Sequence, residues 1–131
     1  MKLSALYQIF LDCQSVTTDS RNCPDGSLFI ALKGESFNGN AFAKLALDSG
    51  CAFAIIDEIQ YAIEGDQRYI LVDDCLQTMQ QLANYHRRQL GTRVIGITGT
   101  NGKTTTKELI SSVLCQAHNV LYTLGNLNNH I

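Results

Sequence analysis

Apolar residues recur along this chain in two rhythms. Leu3, Leu6, Tyr7, Phe10 and Leu11 follow helical spacing and predict a short amphipathic helix over 2–11. Behind the turn Pro24-Asp25-Gly26, the compact run SLFIAL (27–32) predicts a strand. KGESFNGN then reads as a polar, glycine-rich loop, and 40–49 as a helix closed by Gly50. CAFAIID (51–57) and RYILVDD (68–74) are near-continuous apolar runs, the pattern of strands covered on both faces. Asp74 and Gln77 have capping-box spacing. They open a helix whose predicted stripe is Leu76, Met79, Ala83, His86 and Leu90, with HRRQ complementing its negative end and Gly91 ending it. RVIGIT (93–98) predicts a strand, 103–117 a helix, and NVLYT (119–123) a further strand.

A helix followed by alternating strands and helices is the order of an α/β fold with a parallel sheet. A complete α/β unit ends near 90–93, so the expected domains are 1–91 and 92–131. Of the 131 residues, 45 % are apolar, enough for a real core. The net charge of −2 leaves no basic surplus for neutralising phosphates, so no nucleic-acid partner is expected. Five cysteines, with no C-x-x-C, suit neither a disulfide framework nor a zinc site. They read as small buried hydrophobes in a reducing cytoplasm, and His86 as a satisfied histidine at the core edge. LSALYQIFLDC is too short to span a bilayer and carries Asp12, so neither a signal peptide nor membrane insertion is expected.

The chemistry concentrates in VIGITGTNGKTTTKELI (94–110), where glycines separate a predicted strand from a predicted helix. Backbone N–H groups can converge on an anion only where side chains are absent, and a following helix aims its free N–H groups at the same point. Gly99 and Gly102 are the close-approach glycines, Lys103 the mobile charge for β/γ oxygens, and Thr104 the hydroxyl for Mg²⁺. Thr105 and Thr106 add hydroxyls in the first turn. The strict G-x-x-x-x-G-K-[ST] pattern would need glycine at 97, where Ile97 stands; G-x-x-G-K-T over 99–104 is the part that matches.

GITGTNGKTTTKELI resembles the ATP-binding loop of the Mur ligase superfamily, whose form of this motif is the shorter G-T-N-G-K-T. TTDSRNCPDGSLFIALKGESFNGNAFAKLALDSGCAFAIID (17–57) resembles the N-terminal domain of these ligases. TLGNLNNHI (123–131) resembles a G-N-x-N-N stretch found in the branch that adds D-alanyl-D-alanine. The resemblance implies a small α/β UDP-substrate-binding domain followed by the start of a P-loop parallel-sheet ATPase domain. It further implies ATP and Mg²⁺ as cofactors, UDP-N-acetylmuramoyl-tripeptide and D-alanyl-D-alanine as substrates, and peptidoglycan precursor synthesis in the cytoplasm. The tripeptide carboxylate would take the γ-phosphoryl group, and the dipeptide amine would attack the acyl phosphate. Nucleotide contacts are then expected from Gly99, Thr100, Asn101, Gly102, Lys103, Thr104 and Thr105, with Lys103 and Thr104 assisting catalysis.

By chemistry alone, Asp19-Ser20-Arg21 is an ordinary polar turn. The resemblance places the UDP moiety there and at the KGESFNGN loop. Arg21 and Lys33 would then meet the diphosphate, Ser20 and Asn38 the uridine, and Phe37 the uracil face. Asn126, Asn128 and Asn129 are turn-formers by composition, and the resemblance puts them on the muramoyl-peptide side of the ATP site. His130 receives no role. Because these ligases are three-domain chains, this one is expected to be an N-terminal portion, monomeric and inactive alone. Two alternatives remain open: another amide ligase of the superfamily, and a non-catalytic nucleotide-binding module. The former fits less well, because folylpolyglutamate and cyanophycin synthetases lack the UDP-type module.

Overall fold

The computed structural model of the protein describes residues 2–124, which divide into two compact units, 2–91 and 92–124. The first unit opens with α1 (Leu3–Asp12), followed by β1 (Val16–Thr17) and β2 (Leu28–Ile30). A 3₁₀ turn at Gly39–Phe42 leads into α2 (Ala43–Asp48), then β3 (Phe53–Ile56), β4 (Tyr69–Leu71) and α3 (Cys75–Leu90). The four strands form one sheet in the order β1-β2-β3-β4, every pair parallel. Leu28 pairs with Phe53 and Ile55 with Ile70. Each expected strand of this unit is present but shorter than its apolar run.

The apolar runs form these strands because both sheet faces are covered. Leu28, Phe29, Ile30, Ile55 and Ile56 are fully buried, and each side chain contributes about 2 kcal/mol. Past Ile30 the ladder ends because the chain bends: the Leu32 N–H donates to the Ile30 carbonyl, and Lys33 pairs with Asn38 across an antiparallel bridge. Parallel pairing also places the chain after β1, β2 and β3 at one edge of the sheet, its carboxyl edge. Residues 19–21, 33–38 and 57–58 all leave from that edge.

On α3 the capping of Asp74 is as expected: its side chain accepts the Gln77 N–H at 2.7 Å, and Gly91 closes the helix with φ +63°. The stripe, however, is shifted. Cys75 and Leu82 are the buried positions, with Leu76, Met79 and Tyr85 packed beside them, whereas Ala83 and Leu90 are exposed. Steps of three and four also connect Cys75, Met79, Leu82 and His86, and the larger side chain at 82 takes the core face. His86 accepts or donates a hydrogen bond to Tyr7 Oη at 3.1 Å and meets Phe10 edge-on, which ties α3 to α1.

The second unit contains α4 (Lys103–Leu114), three residues shorter than its predicted span. The strands expected at 93–98 and 119–123 are not formed. A strand needs a ladder partner for its N–H and C=O groups, and none pairs with these segments among the described residues. Val94, Ile95 and Leu121 are correspondingly exposed. Of the cysteines, Cys51 and Cys75 are buried, Cys13 and Cys23 half-buried, and Cys115 is exposed, contrary to the expectation for a small hydrophobe. Burial pushes the Cys75 thiol up to about 12, with help from the Asp57 charge. Among the described residues no helix is long and apolar enough to cross a membrane.

Candidate functional site

The glycine loop of the second unit is built by two unusual backbone positions. Gly99 has φ +147° and Gly102 φ +78°, and the left-handed Gly102 caps the start of α4. A side chain at 102 would be strained, and the space it would enter is open: nothing lies within 4 Å of a Cβ built there. Main-chain N–H groups at a glycine-bearing helix start are of the kind that can hold an anion. Lys103 folds back across this loop, its Nζ donating to the Gly99 carbonyl at 2.6 Å. Thr104 and Thr105 follow in the first helical turn, and Thr100 and Asn101 lie exposed in the loop.

In the first unit the residues at the carboxyl edge fall into two groups. The first is the turn after β1. Arg21 sets a fork on Asp19, with Nε to Oδ1 at 2.9 Å and Nη2 to Oδ2 at 2.8 Å, while its backbone N–H also reaches Oδ1 at 3.0 Å. That fork holds the Asp19 carboxyl down at about 2. Cys23 Sγ donates to the Ser20 carbonyl at 3.5 Å, and Thr17 Oγ1 to the Asn22 carbonyl at 2.9 Å. The guanidinium expected to grip a diphosphate is thus engaged by its own loop. An identical fork joins Arg68 to Asp66 before β4, at the opposite edge, so Asp-x-Arg is first of all a local clasp.

The second group is a network. Lys33 Nζ lies 3.1 Å from Asp57 Oδ1 and 3.4 Å from Glu58 Oε1. Asn38 accepts from the Asn40 N–H at 3.0 Å and its Nδ2 at 2.9 Å, and donates to Glu58 Oε1 at 3.1 Å. Asn40, itself buried, donates to Asp57 Oδ1 at 2.8 Å. Burial works to raise the Asp57 carboxyl, but hydrogen bonds from Asn40, Lys33 and the Cys75 N–H outweigh it and hold the group below the usual range. Phe37 is 55 % exposed, its ring lying over Gly34.

The structure thus brings Lys33 and Asn38 together and adds Asn40, Asp57 and Glu58, for which the sequence predicts no role. Their one sequence signal is an acid pair ending the apolar run CAFAII. Asn126, Asn128 and Asn129 lie outside the described residues. No group of three or more His, Cys, Asp or Glu side chains among the described residues could hold a metal ion.

Two family models cover most of the sequence: "Mur ligase family, catalytic domain" matches residues 12–87, and "Mur ligase middle domain" matches 97–131. The chain belongs to the Mur ligase family. A similar relative is the UDP-N-acetylmuramoyl-tripeptide–D-alanyl-D-alanine ligase of Bacillus subtilis (strain 168). It is 47 % identical over 116 residues, covering 88 % of this chain and 25 % of the relative. Two solved structures are also similar. The MurF ligase from Thermotoga maritima in complex with ADP shares 31 % identity with a TM-score of 0.79, covering 91 % of this chain and 27 % of that one. MurF from Acinetobacter baumannii shares 34 % identity with a TM-score of 0.81, covering 98 % and 30 %. This Mur ligase chain therefore spans about a quarter of the length of the curated relatives it matches. Its mixed α/β build with a parallel sheet is the architecture of those neighbours.

Proposed function

We propose that residues 1–91 are the UDP-substrate-binding unit, and 92–131 the opening of the ATP-binding unit, of a cytoplasmic, monomeric ATP-dependent ligase. The ligase adds D-alanyl-D-alanine to UDP-N-acetylmuramoyl-tripeptide during peptidoglycan synthesis. The observation that carries the reading is the loop from Gly99 to Gly102, open to an incoming anion, with the Lys103 ammonium across it at the start of a 12-residue helix.

A carboxylate is a poor acyl donor. Transfer of the γ-phosphoryl group to the tripeptide carboxylate gives an acyl phosphate and ADP. Attack by the dipeptide amine then forms the amide, releasing phosphate and a proton. For the first step, this chain supplies charge and placement. Lys103 exchanges the Gly99 carbonyl for a phosphate oxygen, and main-chain N–H groups from Gly99 to Thr105 hold the remaining oxygens. Thr104 is a hard hydroxyl ligand of the kind Mg²⁺ takes, and the ion neutralises phosphate charge when bound. On the first unit, Ser20, Arg21, Lys33, Phe37 and Asn38 receive the UDP portion at the carboxyl edge, where ligands of parallel sheets bind. Asn126, Asn128 and Asn129 serve the muramoyl-peptide side. The full-length protein is assayed for phosphate release with ATP, UDP-N-acetylmuramoyl-tripeptide and D-alanyl-D-alanine. The expected result is release that requires all three. Release indifferent to the dipeptide refutes the assignment.

A further inference from the structure

One acid at the carboxyl edge has no part in the phosphate chemistry. Asp57 directly follows β3, and its side chain is 3 % exposed. Three segments converge on its two oxygens. Lys33 Nζ at 3.1 Å and Asn40 Nδ2 at 2.8 Å reach Oδ1, and the N–H of Cys75, the first residue of α3, reaches Oδ2 at 3.2 Å. Asn40 closes the pair by accepting the Asp57 N–H at 3.0 Å. A buried carboxylate carries a desolvation cost, offset here by the hydrogen bonds it accepts from Asn40 and Cys75 and by the Lys33 charge. The same contacts fix direction. The Lys33 side chain is 47 % exposed, yet its ammonium is tethered to this buried group.

We propose that Asp57 is a positioning residue for the UDP substrate, acting on Lys33 directly and on Asn38 through Asn40 to hold the 33–38 loop in its receiving shape. The inference rests on reading the first unit as the UDP-substrate unit. A free lysine side chain must be ordered when a ligand arrives; a tethered one has already lost that freedom. Asp57 and Glu58 pair with the Lys33 ammonium at 3.1 and 3.4 Å, which fixes where its charge sits. Asp57 also offsets the lysine charge, so Lys33 serves as a placed donor more than as a source of net positive potential. Asn38 is oriented in the same way: Asn40 fixes its oxygen and Glu58 its amide nitrogen.

The test is a double-mutant cycle in the full-length ligase with Asp57→Asn, Lys33→Met and the pair. Each single variant is expected to raise the KM for UDP-N-acetylmuramoyl-tripeptide about tenfold, the size of one charge-assisted hydrogen bond. The kcat and the KM for D-alanyl-D-alanine stay unchanged, and the double variant is no worse than the worse single. A KM unmoved by Asp57→Asn, or losses that multiply in the pair, overturns the proposal. Should Asp57→Asn lose its folded circular-dichroism signal, Asp57→Glu, which keeps the charge but displaces its oxygens from Lys33 and Asn40, decides: a tenfold KM at unchanged kcat upholds the proposal and an unchanged KM overturns it. Failure of the wild type itself to bind the UDP substrate sinks the underlying reading instead, and is distinguished by affecting every protein alike.

Discussion

Two glycine-rich loops in this chain use glycine for opposite purposes. In the loop leaving β2, a Cβ at Gly39 would lie 2.3 Å from the Leu32 carbonyl oxygen, so glycine is needed to let backbone meet backbone. Its polar side chains are tied inward, to Asp57, Glu58 and Asn40. In the loop before α4, a Cβ at Gly102 would meet nothing, so glycine is needed there for the left-handed turn alone. The lysines differ in the same sense. Lys33 is held by two carboxylates, whereas Lys103 rests on one neutral carbonyl that a phosphate oxygen can replace. The first loop is closed by its own ion pairs and hydrogen bonds; the second, on the proposed reading, takes a phosphate.

The contrast breaks most readily at Lys103. Lys103→Ala in the full-length ligase should lower turnover about a thousandfold, the scale of removing a preorganised charge from phosphoryl transfer. Calorimetry should find the UDP-substrate affinity unchanged, and an equal loss there would erase the division of labour. Next come the glycines. Gly39→Ala should cost about 2–3 kcal/mol of stability by denaturant unfolding, since the new methyl meets backbone that cannot yield. Gly102→Ala should cost about 1 kcal/mol from left-handed strain and weaken nucleotide binding about tenfold. If Gly39→Ala affects only nucleotide affinity, the comparison is wrong.

Acid sharpens the scaffold side. The folded-state pKa of Asp57 is depressed, so the folded chain binds fewer protons there and its contribution is full above the unfolded value, about 4. That contribution is lost as pH falls from about 4 through the lower folded value. Thermal unfolding should show a drop in Tm over that window, and Asp57→Asn should flatten it. The smallest effect is expected at Phe37, whose ring is half exposed. Phe37→Ala should shift stability by no more than about 0.5 kcal/mol and weaken the UDP substrate about fivefold, as loss of one stacking contact would.

Local features were the legible ones. The glycine loop could be read because its shape depends on adjacent residues, and the parallel sheet because SLFIAL, CAFAIID and RYILVDD lack the alternation of a half-exposed strand. β1 went unread because two residues carry no periodicity. On α3, Leu82 and Ala83 both fit steps of three and four, and only α1 and the sheet decide which faces inward. The segments 93–98 and 119–123 have strand-like composition, but a strand is a relation between segments, not a property of one. Asp57 was overlooked for a similar reason. An acid after an apolar run looks like the start of a turn, and its partners Asn40, Lys33 and Cys75 lie 17 to 24 residues away in sequence.

On the proposed reading, the main chain from Gly99 to Thr104 holds the nucleotide's phosphates. A crystal structure of the full-length ligase with magnesium and a non-hydrolysable ATP analogue tests it directly. Lys103 Nζ should leave the Gly99 carbonyl for the β/γ oxygens, with the Gly102 and Lys103 N–H groups also on phosphate. Lys103 still bonded to Gly99, with the triphosphate bound elsewhere, would contradict it.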